Sequence, residues 1–280
     1  MFRAGSGASA YGFRMFSPYD FNYTWVFTES HNILCAAFAA LALLAWRLRW
    51  PRWLLVVFLA AASWALAGSL IVHRLMLANE PLVLPTAAFL PEGRGRVLDM
   101  GAGSGRSTLM VALGRPGSRV TALDIYRGSE YGIGDNTPDR LIANARVAGV
   151  ADRVDVKVGD MRQMPFDAGT FDAGVSAYAI DHLRGDGAAR ALAEAARVIR
   201  VRGQFLLMVV NVDWWVRVAF PSIHGHGYFS TPQDVARWRD ALTSAGFDVV
   251  EVGTQPGTLY VLGTKPAPSG SDAVKQQPSP

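Results

Sequence analysis

Val97-Leu98-Asp99-Met100-Gly101-Ala102-Gly103-Ser104-Gly105-Arg106-Ser107 is an apolar run that passes into a glycine-rich turn and then into helical patterning. The run Arg96–Met100 has the length and composition of a buried strand and carries Asp99 near its end. Gly101, Gly103 and Gly105 follow at alternate positions, and the helical pattern begins near Ser107. Glycine has no Cβ, so such a turn can be tight and can also let a ligand approach bare backbone. Doubly wound α/β folds build nucleotide-type cofactor pockets in this way. The spacing separates one kind of pocket from another. A dinucleotide fingerprint is G-x-G-x-x-G, whereas here the third glycine comes one residue early and Arg106 stands in the last place. A dehydrogenase is disfavoured on that ground.

Working outward, residues 94–264 alternate strand and helix in the α/β manner. Expected strands are Arg96–Met100, Val120–Ile125, Val154–Val158, Ala173–Ser176, Gln204–Val210, Asp248–Gly253 and Thr258–Gly263. Expected helices are Ser107–Leu113, Pro138–Ala148, Gly187–Ile199 and Pro232–Ala245. Thr137 and Thr231 each precede a proline, an N-cap ahead of a proline at the first helical position. Gly149, Gly203 and Gly246 stand just past three expected helix ends, as C-terminal glycines do. The fold class expected is α/β: a Rossmann-like, doubly wound, seven-stranded sheet preceded by a hydrophobic two-helix membrane hairpin.

Two further strands end in carboxylates. VTALDIY closes on Asp124, about 20 residues beyond the glycines, where an acidic side chain can accept hydrogen bonds from two ribose hydroxyls. VDVKVGDM closes on Asp160. These motifs, in order, resemble the class I S-adenosylmethionine-dependent methyltransferases. The run RVDVKVGDMRQMPFDAGTFDAGVS is similar to the ubiquinone-biosynthesis type within them. The resemblance covers most of residues 94–264. It implies S-adenosyl-L-methionine as cofactor, held by Asp99, Gly101, Ala102, Gly103, Gly105, Asp124, Ile125, Asp160, Met161 and Ser176. Asp124 would take the ribose, and Asp160 the adenine amino group with Met161 beside it. Capping of turns or helices is the ordinary alternative for Asp99, Asp124 and Asp160. Two stretches depart from the family pattern: an insertion at Tyr126–Thr137, and Val201-Arg202-Gly203 in place of a Pro-Gly-Gly turn.

The first 80 residues are a different material. Residues 33–46 and 53–72 contain no Asp, Glu, Lys or Arg, and five of the eight tryptophans (Trp25, Trp46, Trp50, Trp53, Trp64) fall before residue 81. The second apolar segment, Trp53–Val72, is 20 residues, enough to cross ~30 Å of hydrocarbon as a helix. The first, Asn32–Trp46, gives only ~21 Å at 1.5 Å per residue and spans only if Tyr23–Asn32 joins it. That would submerge Glu29 and His31, which are read as polar residues at a membrane boundary. Trp46, Trp50 and Trp53 resemble an interfacial aromatic belt, and Ala36 with Ala40 and Ala61 with Ala65 would allow close helix packing. A helical hairpin capping a soluble domain is the plainer alternative. Arg47, Arg49 and Arg52 in the connector are matched by Arg3, Arg14 and Arg74 on the other side, so charge does not orient the hairpin. An in-plane or re-entrant hairpin removes the conflict, and the catalytic domain is placed in the cytoplasm with its cofactor.

The chain thus divides into an irregular segment 1–30, a hairpin 31–80, a cofactor domain 81–265 and a disordered tail 266–280. The net charge of +4 is concentrated in the first 80 residues, with six Arg against three acids. The nearly balanced remainder is no phosphate-backbone binder, so nucleic acid is not an expected partner. A bilayer is. The single cysteine, Cys35, excludes an internal disulfide and a Cys-based zinc site, and its absence from the cofactor domain disfavours arsenic methylation. No signal peptide is expected, because ~20 small and polar residues precede the apolar run.

Methyl transfer from a sulfonium needs alignment and exclusion of water, with a base only if the acceptor must lose a proton. Tyr178, Asp181 and His182, after the fourth strand, are the candidates, His182 foremost; helix capping is the alternative. His224, His226 and Tyr228 form a candidate substrate loop, with no third ligand for a metal. Asn211, Asp213, Trp214 and Trp215 at the end of the fifth strand suggest an apolar acceptor pocket, a membrane-facing surface, or core packing. The function expected is methyl transfer to a small lipophilic acceptor. A non-catalytic cofactor-binding membrane module, or methylation of a membrane protein, remain alternatives.

Overall fold

The computed structural model describes residues 17–23, 25–127, 136–211, 213–220 and 232–267. His224, His226, Tyr228, the cap Thr231, most of the insertion and the tail from residue 268 lie outside the described residues, as do residues 1–16.

Seven strands form one sheet in the order β3-β2-β1-β4-β5-β7-β6. They are β1 (Arg94–Met100), β2 (Gly117–Asp124), β3 (Val154–Val158), β4 (Phe171–Ala177), β5 (Ile199–Val210), β6 (Asp248–Gln255) and β7 (Thr258–Thr264). β3, β2, β1, β4 and β5 are parallel, and β7 runs antiparallel between β5 and β6. Alternate residues feed two cores. Leu207 and Val209 of β5 pack in one with α5 (Gly187–Val198) and α7 (Pro232–Ser244), while Leu206 and Met208 pack in the other with α3 (Arg106–Gly114) and α4 (Pro138–Val147). A sheet buried on both faces needs such nearly continuous apolar strands.

Local signals account for most element ends. Thr137 caps α4, its hydroxyl accepting from Arg140 N–H at 3.2 Å, and Gly149 and Gly246 take the left-handed conformation expected after a helix. Gly203 does not. α5 ends at Val198 and runs straight into β5, so Gly203 lies inside the strand, where Asp172 O would be 2.6 Å from any Cβ. The irregular pairing of β4 with β5 here is the structural counterpart of the missing Pro-Gly-Gly turn.

The N-terminal part is a helical hairpin, α1 (Trp25–Arg47) and α2 (Arg52–Leu70), the latter ending in a π turn, Ile71–Leu75. α1 thus does take in residues 25–30, which the sequence placed in the irregular segment. Both helices are long and apolar enough to cross a membrane by length and composition. Ala36 and Ala40 are exposed, so the expected close packing through them does not occur; Ala42, Ala45, Ala65 and Gly68 are the buried small residues. The connector from Trp46 to Trp53 is exposed throughout.

A short helix, α6 (Trp214–Ala219), follows β5 and docks on the root of the hairpin. Helix ends leave carbonyls unsatisfied, and here the hairpin supplies donors: Trp64 Nε1–H donates to Val218 O at 2.7 Å, and His31 Nε2 bonds Ala219 O at 2.7 Å. His31 is buried. It holds α6, a partner that the sequence did not suggest.

Candidate active site

Strand order reverses between β1 and β4, and the crevice at the carboxyl ends of strands flanking such a reversal is where open α/β sheets bind ligands. The glycine turn sits there. Gly101, Gly103 and Gly105 have φ of +80°, +51° and +92°, a region that side chains strongly disfavour. A Cβ on Gly101 would also lie 2.3 Å from Ala179 Cβ. Gly101 and Ala102 N–H groups donate to Leu123 O at 2.8 and 3.1 Å, tying the turn to β2.

Asp99 is fully buried and does not line the cavity. Its carboxylate accepts from Ser107 Oγ at 2.8 Å and Thr108 Oγ1 at 2.6 Å, so it fastens the start of α3 beneath the turn. Burial pushes its pKa up to about 6, against the lowering effect of the two hydroxyls. Ser176 is also buried, donating to Met100 O at 2.8 Å. Neither residue reaches the space where a cofactor would lie; both shape the sheet behind it.

Gly101, Ala102, Gly103, Asp124, Ile125, Asp160 and Met161 do line one cavity, of about 450 Å³. Asp124 Oδ2 accepts from Gly103 N–H at 2.9 Å, and Oδ1 from Tyr126 N–H at 2.7 Å. The second bond uses a left-handed Tyr126, φ +53°. Asp160 is engaged by Arg162, whose Nη2 and Nε donate to its oxygens at 2.6 and 2.9 Å. That hydrogen bonding holds the Asp160 carboxyl below its ordinary pKa. Asn136, within the insertion Tyr126–Thr137 and not singled out from the sequence, adds a polar group: it accepts from Ser104 Oγ, and its Nδ2 would stand 3.0 Å from a Cβ on Gly103.

Tyr178 and His182 line the same cavity from the end of β4. Tyr178 is left-handed, φ +54°, and its hydroxyl pairs with Thr258 Oγ1 at the start of β7. Asp181 is buried outside the cavity wall, with Oδ2 accepting weakly from Val210 N–H at 3.2 Å and Oδ1 without a partner among the described residues. Burial raises its pKa, and His182 opposes that rise.

The sequence did not foresee the other wall. Tyr23 just ahead of α1, Phe27 in its first turn, Leu75, Met76 and Leu77 at and just past the end of the π turn, and Val216 and Phe220 around α6 all line the cavity. Trp214 is mostly exposed and absent from it. Arg106, at the first position of α3, secures this wall: Nε donates to Glu80 O at 2.8 Å, Nη2 to Met76 O at 2.8 Å and Leu77 O at 2.5 Å, and Nη1 to Tyr23 Oη at 3.2 Å. These partners lie far off in the chain, beyond the reach of any local pattern.

Residues 98–207 match the model of a family described as a methyltransferase domain. A malonyl-[acyl-carrier protein] O-methyltransferase of Laribacter hongkongensis is 30% identical over 159 residues, covering 54% of this chain and 50% of that protein. One of the same name from Geobacter sulfurreducens is 31% identical over 168 residues, covering 56% and 57%. The chain therefore spans about half the length of the relatives it matches. The structure of an O-methyltransferase family protein from Burkholderia thailandensis has the same fold, with TM-score 0.51 and 16% identity over 75% of this chain and 61% of that one. Residues 98–207 thus carry a methyltransferase domain.

Proposed function

We propose that this protein is a membrane-associated methyltransferase, its catalytic domain in the cytoplasm, acting on a small lipophilic acceptor. One observation carries the reading: a single cavity joins the bare glycine turn, Asp124 and Asp160 to Tyr178, His182 and an apolar wall.

The residues present fit S-adenosylmethionine. Each Asp124 oxygen accepts one backbone N–H and keeps a lone pair for a diol. Asp160 is held by the backbone N–H, Nε and Nη2 of Arg162, so an adenine amino group would share its oxygens with that fork. The turn offers backbone without side chains in the way. When bound, the sulfonium supplies an electrophilic methyl group. The chain supplies alignment and a dry path between donor and acceptor. His182, in the wall, stands where it would take the proton of a hydroxyl or acidic carbon acceptor.

The two relatives are named for O-methylation of a malonyl group on a carrier protein. A carboxylate acceptor calls for charge-assisted donors. Arg106 and Arg127 both line this cavity, and beside the apolar residues of the hairpin root Arg106 is already committed to three carbonyls and the Tyr23 hydroxyl. That favours an uncharged acceptor. Membrane association is supported by the outward faces of the hairpin, where Leu43, Val56, Leu59 and Leu66 are all more than half exposed; so much contiguous apolar surface marks a lipid or protein contact.

Calorimetric titration of the full chain in detergent with S-adenosylmethionine tests the cofactor reading. Wild type is expected to bind, and Asp124→Ala to bind at least tenfold more weakly. No binding by wild type ends the proposal, while binding without turnover on any membrane lipid extract would favour a non-catalytic module. Flotation with phosphatidylcholine/phosphatidylglycerol vesicles checks the anchor.

A further inference from the structure

The hairpin is attached to the cavity in a way that an anchor alone does not require. Its root contributes Tyr23, Phe27, Leu75, Met76 and Leu77 to the wall. Three separate fixings hold that root in register with the cofactor turn. Arg106, which follows Gly105 directly, binds the carbonyls of Met76, Leu77 and Glu80. Its guanidinium also lies over the Tyr23 ring, 5.6 Å from the centroid. His31 and Trp64 hold α6 through its last carbonyls, and Phe220 beyond α6 stacks on Phe27 with centroids 5.3 Å apart.

This wall continues into the outward surface of the helices. One to two turns past Phe27 on α1 lie the exposed Ile33 and Leu34, and one turn before Leu75 on α2 lies the exposed Leu70. The π turn Ile71–Leu75 lies between them. Such bulges change the helical register and are frequent at functional sites. Among the described residues no Glu or Lys lines the cavity; of its two arginines, Arg106 is spent on three carbonyls and the Tyr23 hydroxyl, and Arg127 follows Asp124 and Ile125 in the chain. Tyr178, His182 and Thr258 supply polar groups to the same cavity, the Tyr178 hydroxyl paired with Thr258 Oγ1.

We infer that the acceptor is a neutral amphiphile drawn from the bilayer, its polar atom at Tyr178 and His182 and its apolar chain leaving along Phe27, Leu75 and Phe220 into lipid. This rests on the methyltransferase reading and adds the class of acceptor and its route. A molecule of that shape satisfies both ends of the site. Its chain buries apolar surface against the wall, and its uncharged head needs no counter-ion. The hairpin is then half of the acceptor site and not only a tether.

The probe is a diazirine-bearing hexadecanol in phosphatidylcholine vesicles holding the full chain with S-adenosylhomocysteine, against a diazirine-bearing butanol at equal concentration. After irradiation, the long probe is expected to label peptides containing Phe27, Leu75–Leu77 and Val216–Phe220 at least fivefold more than the short one. Leu75→Asp and, separately, Phe220→Trp should cut that root labelling at least fivefold while labelling near Leu43 and Leu59 persists. Labelling confined to the outer hairpin, or root labelling that is equal for both probes or indifferent to both substitutions, overturns the inference. Titration with S-adenosylhomocysteine separates the two readings. Cofactor bound but root unlabelled sinks this inference alone, whereas failure of wild type to bind sinks the methyltransferase reading and this one with it.

Discussion

The His31 imidazole on α1 fills the space over Gly68 on α2: a Cβ at Gly68 would lie 2.0 Å from Cδ2 of the ring. From that position His31 Nε2 reaches Ala219 O, so the absence of one methyl group lets the hairpin grip the catalytic domain. Gly68→Ala is expected to displace the ring and loosen the root by about 1–3 kcal/mol, the usual cost of overpacking. The chain in detergent should show a lower melting temperature and new protease cleavage between residues 76 and 94. An unchanged digest would count against this docking.

Asp99 gives the fold an inverted pH dependence. An unfolded aspartate titrates near 3.8, but burial raises the folded group to about 6, so the folded state holds the proton more tightly. Stability from this group is therefore full below about pH 4 and is lost as the pH rises through 6, a difference of about 3 kcal/mol. Asp99→Asn keeps an acceptor for the Ser107 and Thr108 hydroxyls and removes the titration. Thermal unfolding at pH 4.5 and 7.5 should show a smaller difference for the variant than for wild type.

Arg106 joins the cofactor turn to both chain segments that enter and leave the hairpin. Lysine cannot reproduce its fork of donors, so Arg106→Lys and Arg106→Met should behave alike. Each should weaken S-adenosylhomocysteine binding by about tenfold, equivalent to ~1.4 kcal/mol and no more than one charge-assisted hydrogen bond. Calorimetry on the two variants decides; affinity equal to wild type would show that the clamp and the turn are independent.

His182 lines the cavity without contributing to the cofactor turn. His182→Ala should lower kcat by about 100-fold or more where the acceptor loses a proton, with cofactor affinity kept within threefold. A single-turnover assay with labelled S-adenosylmethionine and the membrane lipid fraction that supports turnover reads this directly. Equal rates would make His182 a wall residue only.

Much of the sheet was legible because its signals are local. Alternating burial, glycine at positive φ and the Thr137 cap each depend on a few neighbouring residues. The same locality misled at Gly203, which resembles a helix-ending glycine but is needed for close strand packing against Asp172 O. The site was legible in part. Asp124 and Asp160 could be placed at strand ends by spacing, but whether a carboxylate faces a cavity or a helix start depends on what lies opposite. Asp99 meets two hydroxyls of α3 and turns inward.

By itself, then, the chain's order of residues determined the parallel sheet, the bare turn after β1 and the two apolar helices, because backbone sterics and side-chain periodicity act over a few residues. Only the tertiary structure decided that those helices wall the cavity. Arg106 with Met76, His31 with Ala219 and Trp64 with Val218 are separated by 30, 188 and 154 residues. Contacts at such distance are selected by the packing of whole elements, which no local pattern encodes.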